Sequence, residues 1–159
     1  PLAYLGLGDV FTFVFFGPVA TMGTYYVQAH AISFAAFLLG CVPGAYSVVL
    51  IALNNLRDRE SDILVNKKTL AVRFGVFFAR AEIAVCLFAP FIFTLLLYFN
   101  ANLSEFESLI CVAVCIFGGS AIMRSVYRIR DMRLINDLFP KTAMMSLVMA
   151  SLLSLFLLL

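Results

Sequence analysis

Charged residues are scarce in this sequence, and their scarcity excludes an ordinary water-soluble domain. Only 13% of the 159 residues are charged, against roughly 25% in soluble globular domains. Hydrophobic residues make up 64% of the chain, and the mean hydropathy is +1.04. Apolar runs of about 20 residues, long enough to cross a hydrocarbon core of about 30 Å, recur along it. The sequence therefore predicts an all-α, polytopic protein of the lipid bilayer, and we expect no nucleic-acid partner.

The cysteine positions predict no cysteine-ligated metal centre. The four cysteines lie inside apolar segments, where a thiol usually behaves as a small hydrophobic group.

The chain begins at Pro1, without an initiator methionine or a signal-peptide pattern. We therefore expect it to be part of a longer protein.

Five apolar stretches are candidate membrane spans. Pro18, Pro43 and Pro90 fall inside spans, where neighbouring helices can satisfy the freed backbone groups. Gly40 and Gly44 are spaced as G-x-x-x-G, which favours close contact between helices. The predicted spans cover about residues 10–28, 31–53, 78–99, 107–126 and 142–159.

The positive charges predict the orientation. All eleven lysines and arginines fall at 57–80 and 124–141, and the connections at 29–30 and 100–107 have none. Two spans separate the basic stretches, so both lie on one side, which the positive-inside rule makes cytoplasmic. We expect a multi-pass protein of the inner (plasma) membrane, with a charged motif loop at 54–75 in the cytoplasm.

The densest cluster of ionisable groups follows the second span. Asn54, Asp58 and Asp62 are four residues apart, so they share one face if the second helix continues past Leu53. Their oxygens suit Mg²⁺, which usually takes one or two carboxylates and completes its coordination with water and phosphate. Bases follow at 67, 68 and 73, where an anionic phosphate would need them. The alternative is an exposed cytoplasmic loop whose charges pair loosely.

Three parts of the sequence resemble the UbiA superfamily of intramembrane aromatic prenyltransferases. NNLRD-x-x-x-D at 54–62, with Lys67 and TLAVR-x-G at 69–75, resembles the family's second aspartate-rich motif. GLGD at 6–9 and FFGPVATMGTYYVQ at 15–28 resemble its N-terminal patterns, and LFPKTAMMSLVMASLL at 138–153 resembles the stretch that opens its last helix. The resemblance runs nearly end to end, and it is strongest to the branch that prenylates 1,4-dihydroxy-2-naphthoate in menaquinone synthesis.

The resemblance implies a bundle of nine helices in which two aspartate-rich motifs face each other. Mg²⁺ joins their carboxylates to a polyprenyl diphosphate; the diphosphate departs, and the aromatic ring attacks the allylic cation and loses its carboxylate. Carried onto this chain, Asp58 and Asp62 become catalytic metal ligands together with Asn54. Lys67 is implied to be a catalytic residue whose positive charge contacts the diphosphate. Arg73 is implied to contact the diphosphate as well.

Other residues carry less certain roles under the same resemblance. Arg57 could bind the diphosphate or pair with Glu60, and Asn55 could contact substrate or hold the loop. Tyr25 could face the cation through its ring or anchor the span at the membrane interface. Asp9 could orient the acceptor or cap a helix. His30 falls on the side away from the chemistry.

The sequence departs from the family pattern in one respect. It has five spans rather than nine, and nothing in 1–53 matches a first aspartate-rich motif. We therefore expect the missing N-terminal helices to be partners of this chain, and the isolated chain to be inactive. Two alternatives stay open: a prenyltransferase for another aromatic, such as 4-hydroxybenzoate or homogentisate, and a non-catalytic membrane domain.

Overall fold

A computed structural model describes residues 6–100, 103–129 and 132–157. Over these residues the structure is helical, with no β-strand. A π-helical stretch, Phe15–Val19, interrupts the first helix, and a 3₁₀ segment, Met132–Asp137, precedes the last. In chain order the helices are α1 Gly8–Ala29, α2 Phe34–Arg57, α3 Arg59–Leu64, α4 Leu70–Asn100, α5 Glu105–Arg128 and α6 Leu138–Phe156.

Among the described residues, five helical segments are long and apolar enough to cross a membrane, which confirms the predicted all-α membrane architecture. They are α1, α2, α4, α5 and the segment Leu134–Phe156 that contains α6. The helix α4 starts with a short helical turn at Leu70, is broken at Gly75 (φ 83°, ψ 179°), and continues without a break from there, close to the predicted start near residue 78. The segment at 54–75 is consequently more helical than a loop, since it holds the end of α2, all of α3 and the first residues of α4.

Serine caps begin the two helices that start on the side without basic residues. Ser33 accepts a hydrogen bond from the backbone nitrogen of Ala36 and begins α2. Ser104 and Glu107 form a reciprocal capping box at the start of α5, with distances of 3.3 and 2.8 Å. Such caps satisfy amide groups that have no partner inside the helix. Local sequence thus determines where these two spans begin.

Glycine brings α1 and α2 into contact, as the G-x-x-x-G spacing predicts. A Cβ atom placed on Gly17 of α1 would lie 2.8 Å from the carbonyl oxygen of Gly40 and 2.8 Å from the Cα of Gly44. No side chain fits at that distance, so the two backbones touch. Gly17 also leaves helical geometry (φ −117°, ψ −107°) next to Pro18, where α1 has its π-helical stretch. The crossing fixes α1, and with it Asp9, against α2.

The helix α2 lies at the centre of the bundle, and α1 lies at its edge. In their most apolar windows, 67% of the residues of α2 are buried, against 11% in α1. Val42, Tyr46 and Leu53 of α2 are fully buried. They belong to one core with Leu87 of α4 and Met149 of α6. The polar residues at the end of α2 are therefore mounted on the most firmly packed helix.

Candidate functional site at the end of helix α2

The aspartate-rich segment keeps its helical spacing across a break. The helix α2 ends at Arg57, and Asp58 leaves helical geometry (φ −93°, ψ 7°) before α3 begins. Backbone hydrogen bonds still run from Asp58 N to the oxygen of Asn54 (2.9 Å) and from Asp62 N to the oxygen of Asp58 (2.8 Å). The three predicted metal-binding residues therefore follow one another at intervals of one helical turn.

Arg57 connects this segment to the last span. Its guanidinium donates to both carboxylate oxygens of Asp58 (2.7 and 2.8 Å) and to Oδ1 of Asn54 (2.6 Å). It also donates to Oδ1 of Asn136 at 2.7 Å and lies over the ring of Phe139, 5.5 Å from its centroid. The hydrogen bonds from Arg57 lower the pKa of Asp58 below its usual range. Within the described residues, Arg57 pairs with Asp58, and the alternative of a pair with Glu60 is wrong.

Lys67 folds back onto Asp62. Its ammonium lies 3.1 and 3.2 Å from the two carboxylate oxygens, and its backbone nitrogen donates to the oxygen of Asp62 at 2.9 Å. Asn66 makes this reversal with φ of 54°, in the left-handed region that asparagine tolerates better than most residues. Asp62 is only 6% exposed, so its charge needs the nearby cation.

Asp9 and Asn55 form a buried polar contact between α1 and α2. Asn55 Nδ2 donates to Asp9 Oδ1 at 3.4 Å, and the two residues are 6% and 4% exposed. Asp9 lies in the first turn of α1, whose N-cap residue, Leu7, makes no side-chain cap. Nothing local to either residue predicts this contact, because 46 positions separate them in the chain.

A small cavity of about 110 Å³ joins these parts. Thr69 lines it from α4's N-terminal side; its hydroxyl accepts from the backbone nitrogen of Val72 at 3.3 Å. Sequence analysis missed Thr69, although its place at the head of TLAVR was a signal. The full lining is Gly6, Gly8, Asp9, Ile51, Asn54, Asn55, Lys67 and Thr69.

Gly6 holds the GLGD stretch against the segment that follows the aspartates. Its φ is +70°, and a Cβ there would lie 2.7 Å from the carbonyl oxygen of Lys68 and 3.5 Å from the guanidinium carbon of Arg73. Arg73 therefore packs beside Gly6 at the edge of the cavity. Only a glycine combines this dihedral angle with so close an approach.

Tyr25 is not part of this cluster. It lies 16 residues beyond Asp9 on α1, which corresponds to about 24 Å along a helix. It is 39% exposed. His30 ends the same helix, at φ of 50°. Both residues therefore lie toward the opposite end of the bundle from Lys67.

The two basic stretches meet at one end of the bundle, as the span count predicts. Arg57 Nη1 contacts Asn136, and Arg80 Nη2 donates to the oxygen of Ile129 at 3.4 Å while its guanidinium lies over the ring of Tyr127. This end carries the aspartate-rich segment, the cavity and the start of α6.

The donor set suits a hard divalent cation only in part. No group of three or more His, Cys, Asp or Glu side chains lies close enough to hold a metal among the described residues. Two carboxylates are available, within the one or two that Mg²⁺ usually takes from a protein, and an amide oxygen lies beside them. Arg57 and Lys67 occupy those oxygens here. The chemistry of the donors fits, provided that these cations move to an incoming anion.

Comparison with known proteins agrees with the motifs. The sequence profile of the "UbiA prenyltransferase family" matches residues 1–148. The 1,4-dihydroxy-2-naphthoate octaprenyltransferase of Mycobacterium leprae is 34% identical over 140 residues, or 88% of this chain and 45% of that protein. The Haemophilus influenzae protein of the same name is 42% identical over 80 residues, or 50% of this chain and 26% of that protein.

A vertebrate relative is also similar, and the coverage is partial in every case. UbiA prenyltransferase domain-containing protein 1 of Gallus gallus is 39% identical over 90 residues, or 56% of this chain and 27% of that protein. No solved structure matches the chain. The chain thus spans less than half the length of the curated relatives it matches. Since the family profile covers nearly all of its residues, and its aspartates, Lys67 and the GLGD stretch meet at one end of the bundle, the chain belongs to the UbiA prenyltransferase family.

Proposed function

We propose that the chain forms part of an aromatic prenyltransferase that moves a polyprenyl group from its diphosphate to 1,4-dihydroxy-2-naphthoate in menaquinone biosynthesis. The printed names of the bacterial relatives support both the reaction and the acceptor. One structural observation carries the proposal: two carboxylates, an amide and two cations converge at the end of α2. That combination suits a metal-bound diphosphate. A loop that only connects two helices does not need so many polar groups in contact.

In this proposal Asn54, Asp58 and Asp62 hold Mg²⁺ through their oxygens. The ion, when bound, neutralises charge on the diphosphate and so favours its departure. Geometry supports this role, because the three residues follow one another at one-turn intervals. Asp62 is buried beside Lys67, and Asp58 is partly open to solvent, so the donor would approach from the side of Asp58.

The cations of the cluster then serve the leaving group. Lys67 and Arg57 neutralise the aspartates while no anion is present, and they turn to the diphosphate when it binds. Arg73, beside Gly6, adds a third positive charge at the edge of the cavity. Charge-assisted hydrogen bonds from arginine and lysine stabilise the charge that develops as the allylic C–O bond breaks. The electron pair leaves with the diphosphate.

Bond formation balances that departure. The ring carbon that bears the carboxylate attacks the allylic carbon, and loss of CO₂ returns the electrons that restore the aromatic ring. Tyr25 lies too far from Lys67 to contact the reacting carbon of a bound donor. We assign it to the prenyl chain, which would run along α1 away from the charged end.

Helices outside this chain would supply the facing half of the site. The relatives are more than twice as long as the parts that match, which leaves room for the first aspartate-rich motif that the family pattern implies. Those helices would also exclude water, which converts an allylic cation to an alcohol. In this proposal the site lies at the cytoplasmic face of the inner membrane, since the positive-inside rule favours that side for the basic stretches.

The test is prenyl transfer by reconstituted membranes that contain this chain and its complementary helices, with Mg²⁺, a polyprenyl diphosphate and one of three acceptors. We expect a prenylated, decarboxylated product from 1,4-dihydroxy-2-naphthoate. Product from 4-hydroxybenzoate or homogentisate instead would replace the proposed acceptor. No product from any acceptor would favour a non-catalytic membrane domain, in which the ion pairs of the cluster bind no ligand.

A further inference from the structure

A groove runs between α5 and α6, and no described residue of the aspartate-rich cluster lines it. Its membrane part is a cavity of about 490 Å³ lined almost entirely by apolar side chains. On α5 the cavity is lined by Gly118, against which the side chain of Met145 packs, and Met144 and Val148 form the wall on α6. Both of these side chains are accessible, at 61% and 37% exposure. An extended hydrocarbon chain is the kind of ligand that such a wall fits.

Lys141 connects the apolar part to a second cavity at the charged end of the bundle. It lines the 490 Å³ cavity and also an adjoining one of about 530 Å³, where Arg128 and Asp137 contribute as well. Arg128 in turn lines a third cavity of about 420 Å³ together with Arg124. That third cavity lies beside Phe88 of α4, so within the described residues two basic side chains and one acidic side chain line the polar end of the groove, which favours an anionic head group.

The groove is distinct from the diphosphate cluster. In a 3₁₀ helix the side chains at i and i+3 lie on the same side. Leu134 and Asp137 both line the groove, whereas Asn136 of the same segment contacts Arg57. The segment Met132–Asp137 thus lies between the groove and the diphosphate cluster. Leu134 and Asp137 face the groove, and Asn136 faces the cluster.

We propose that this groove binds an anionic phospholipid, with an acyl chain against α5 and α6 and the phosphate between Arg128 and Lys141. Apolar surface at membrane depth, followed by basic residues at one end, matches the two parts of such a lipid. Basic pockets between transmembrane helices are a known way of holding anionic head groups. The lipid would contact the segment Met132–Asp137, which Arg57 also contacts through Asn136. It would therefore stabilise the connection before α6.

The absence of tryptophan from the chain permits a direct test. Met144→Trp places one fluorophore in the groove, and Phe16→Trp places one on the exposed face of α1, whose described residues include no lysine or arginine. Each variant of the full chain is reconstituted in phosphatidylcholine with increasing brominated phosphatidylglycerol, whose bromine quenches nearby tryptophan. We expect a preference for phosphatidylglycerol of about fivefold at position 144 and none at position 16.

Matched lysine substitutions complete the test. In the Met144→Trp background, Lys141→Gln should reduce the preference below about twofold, whereas Lys68→Gln, an equally exposed lysine at the same end, should leave it unchanged. Val148→Trp serves as a second reporter if Met144→Trp does not reconstitute. Equal preference at positions 144 and 16, or a preference that survives Lys141→Gln, would overturn the proposal. Displacement of the brominated lipid by a short prenyl diphosphate would also overturn it, because the groove would then belong to the donor.

Discussion

Asn55 Nδ2 donates to Asp9 Oδ1 at 3.4 Å, which joins two buried polar residues on helices whose backbones touch at Gly17. The contact fastens the start of α1 to the helix that carries the aspartates. Both side chains line the 110 Å³ cavity beside Lys67. The GLGD stretch and the aspartate-rich motif, far apart in sequence, are therefore one structural unit.

An exchange of these two residues tests that unit. Asp9→Leu leaves the Asn55 amide without its partner, which should lower the free energy of unfolding by about 1–3 kcal/mol. Asn55→Asp places two buried carboxylates side by side and should cost at least as much. The double change Asp9→Asn with Asn55→Asp restores one carboxylate and one amide, and should recover most of the loss in thermal unfolding in detergent. A double variant no more stable than Asn55→Asp alone would show that the contact contributes nothing.

Glycine contact between α1 and α2 makes a second prediction. A Cβ on Gly40 would lie 2.9 Å from the carbonyl oxygen of Gly17, whereas a Cβ on Gly23 would meet no atom within 4 Å. Gly40→Ala should therefore lower the free energy of unfolding by about 1–3 kcal/mol, through overpacking. Gly23→Ala should be neutral or stabilising by up to about 1 kcal/mol, because alanine favours the helix. Equal effects of the two substitutions on thermal unfolding would contradict the close crossing.

The contacts of Arg57 predict a local effect at the last connection. Arg57→Gln removes the donor to Asn136 and the cation over Phe139, so the segment Met132–Asp137 should open more readily. Loss of about 1 kcal/mol would speed its amide hydrogen exchange by about fivefold. Arg59→Gln is the matched control, since Arg59 donates to the oxygen of Ala71 instead. Unchanged exchange at 132–137 in Arg57→Gln would mean that this arginine does not hold the connection.

The carboxylates of the motif should be indispensable to turnover. With the complementary helices present, Asp58→Ala or Asp62→Ala should reduce prenyl transfer by at least about a hundredfold, since each removes a ligand that the leaving diphosphate requires. Asp58→Glu should also be poorly tolerated, because Mg²⁺ demands near-ideal octahedral geometry. Glu60→Ala is the control: Glu60 is exposed on the same segment and has no described contact with the cluster. Full activity in either alanine variant would show that the cluster is an exposed loop with no role in catalysis.

The regular features of this molecule could be predicted from sequence because they depend on local patterns. Apolar runs predict the spans, basic residues predict that 57–80 and 124–141 meet at one end, and the G-x-x-x-G spacing predicts a helix contact. The four-residue spacing of Asn54, Asp58 and Asp62 predicts their succession, and backbone hydrogen bonds preserve it across the break at Asp58.

The remaining features depend on three-dimensional packing, which sequence spacing does not encode. Arg57 pairs with Asp58 rather than Glu60 because α2 ends between them and its guanidinium also reaches Asn136 and Phe139. Asp9 has no local signal that would favour Asn55 over a helix cap. The break at Gly75, where φ is 83°, leaves a short helical turn from Leu70 ahead of the fourth helix's unbroken part, and the apolar run alone does not predict that turn.

The central claim is that this chain carries one half of a diphosphate-binding prenyl-transfer site. The most direct measurement is formation of prenylated product from 1,4-dihydroxy-2-naphthoate, with Mg²⁺ and a polyprenyl diphosphate, by membranes that contain the 159-residue chain alone or together with the complementary helices. The predicted result is no product from the chain alone and restored, Asp58-dependent product with both parts. Turnover by the chain alone, or turnover with both parts that is indifferent to Asp58→Ala, would contradict the account.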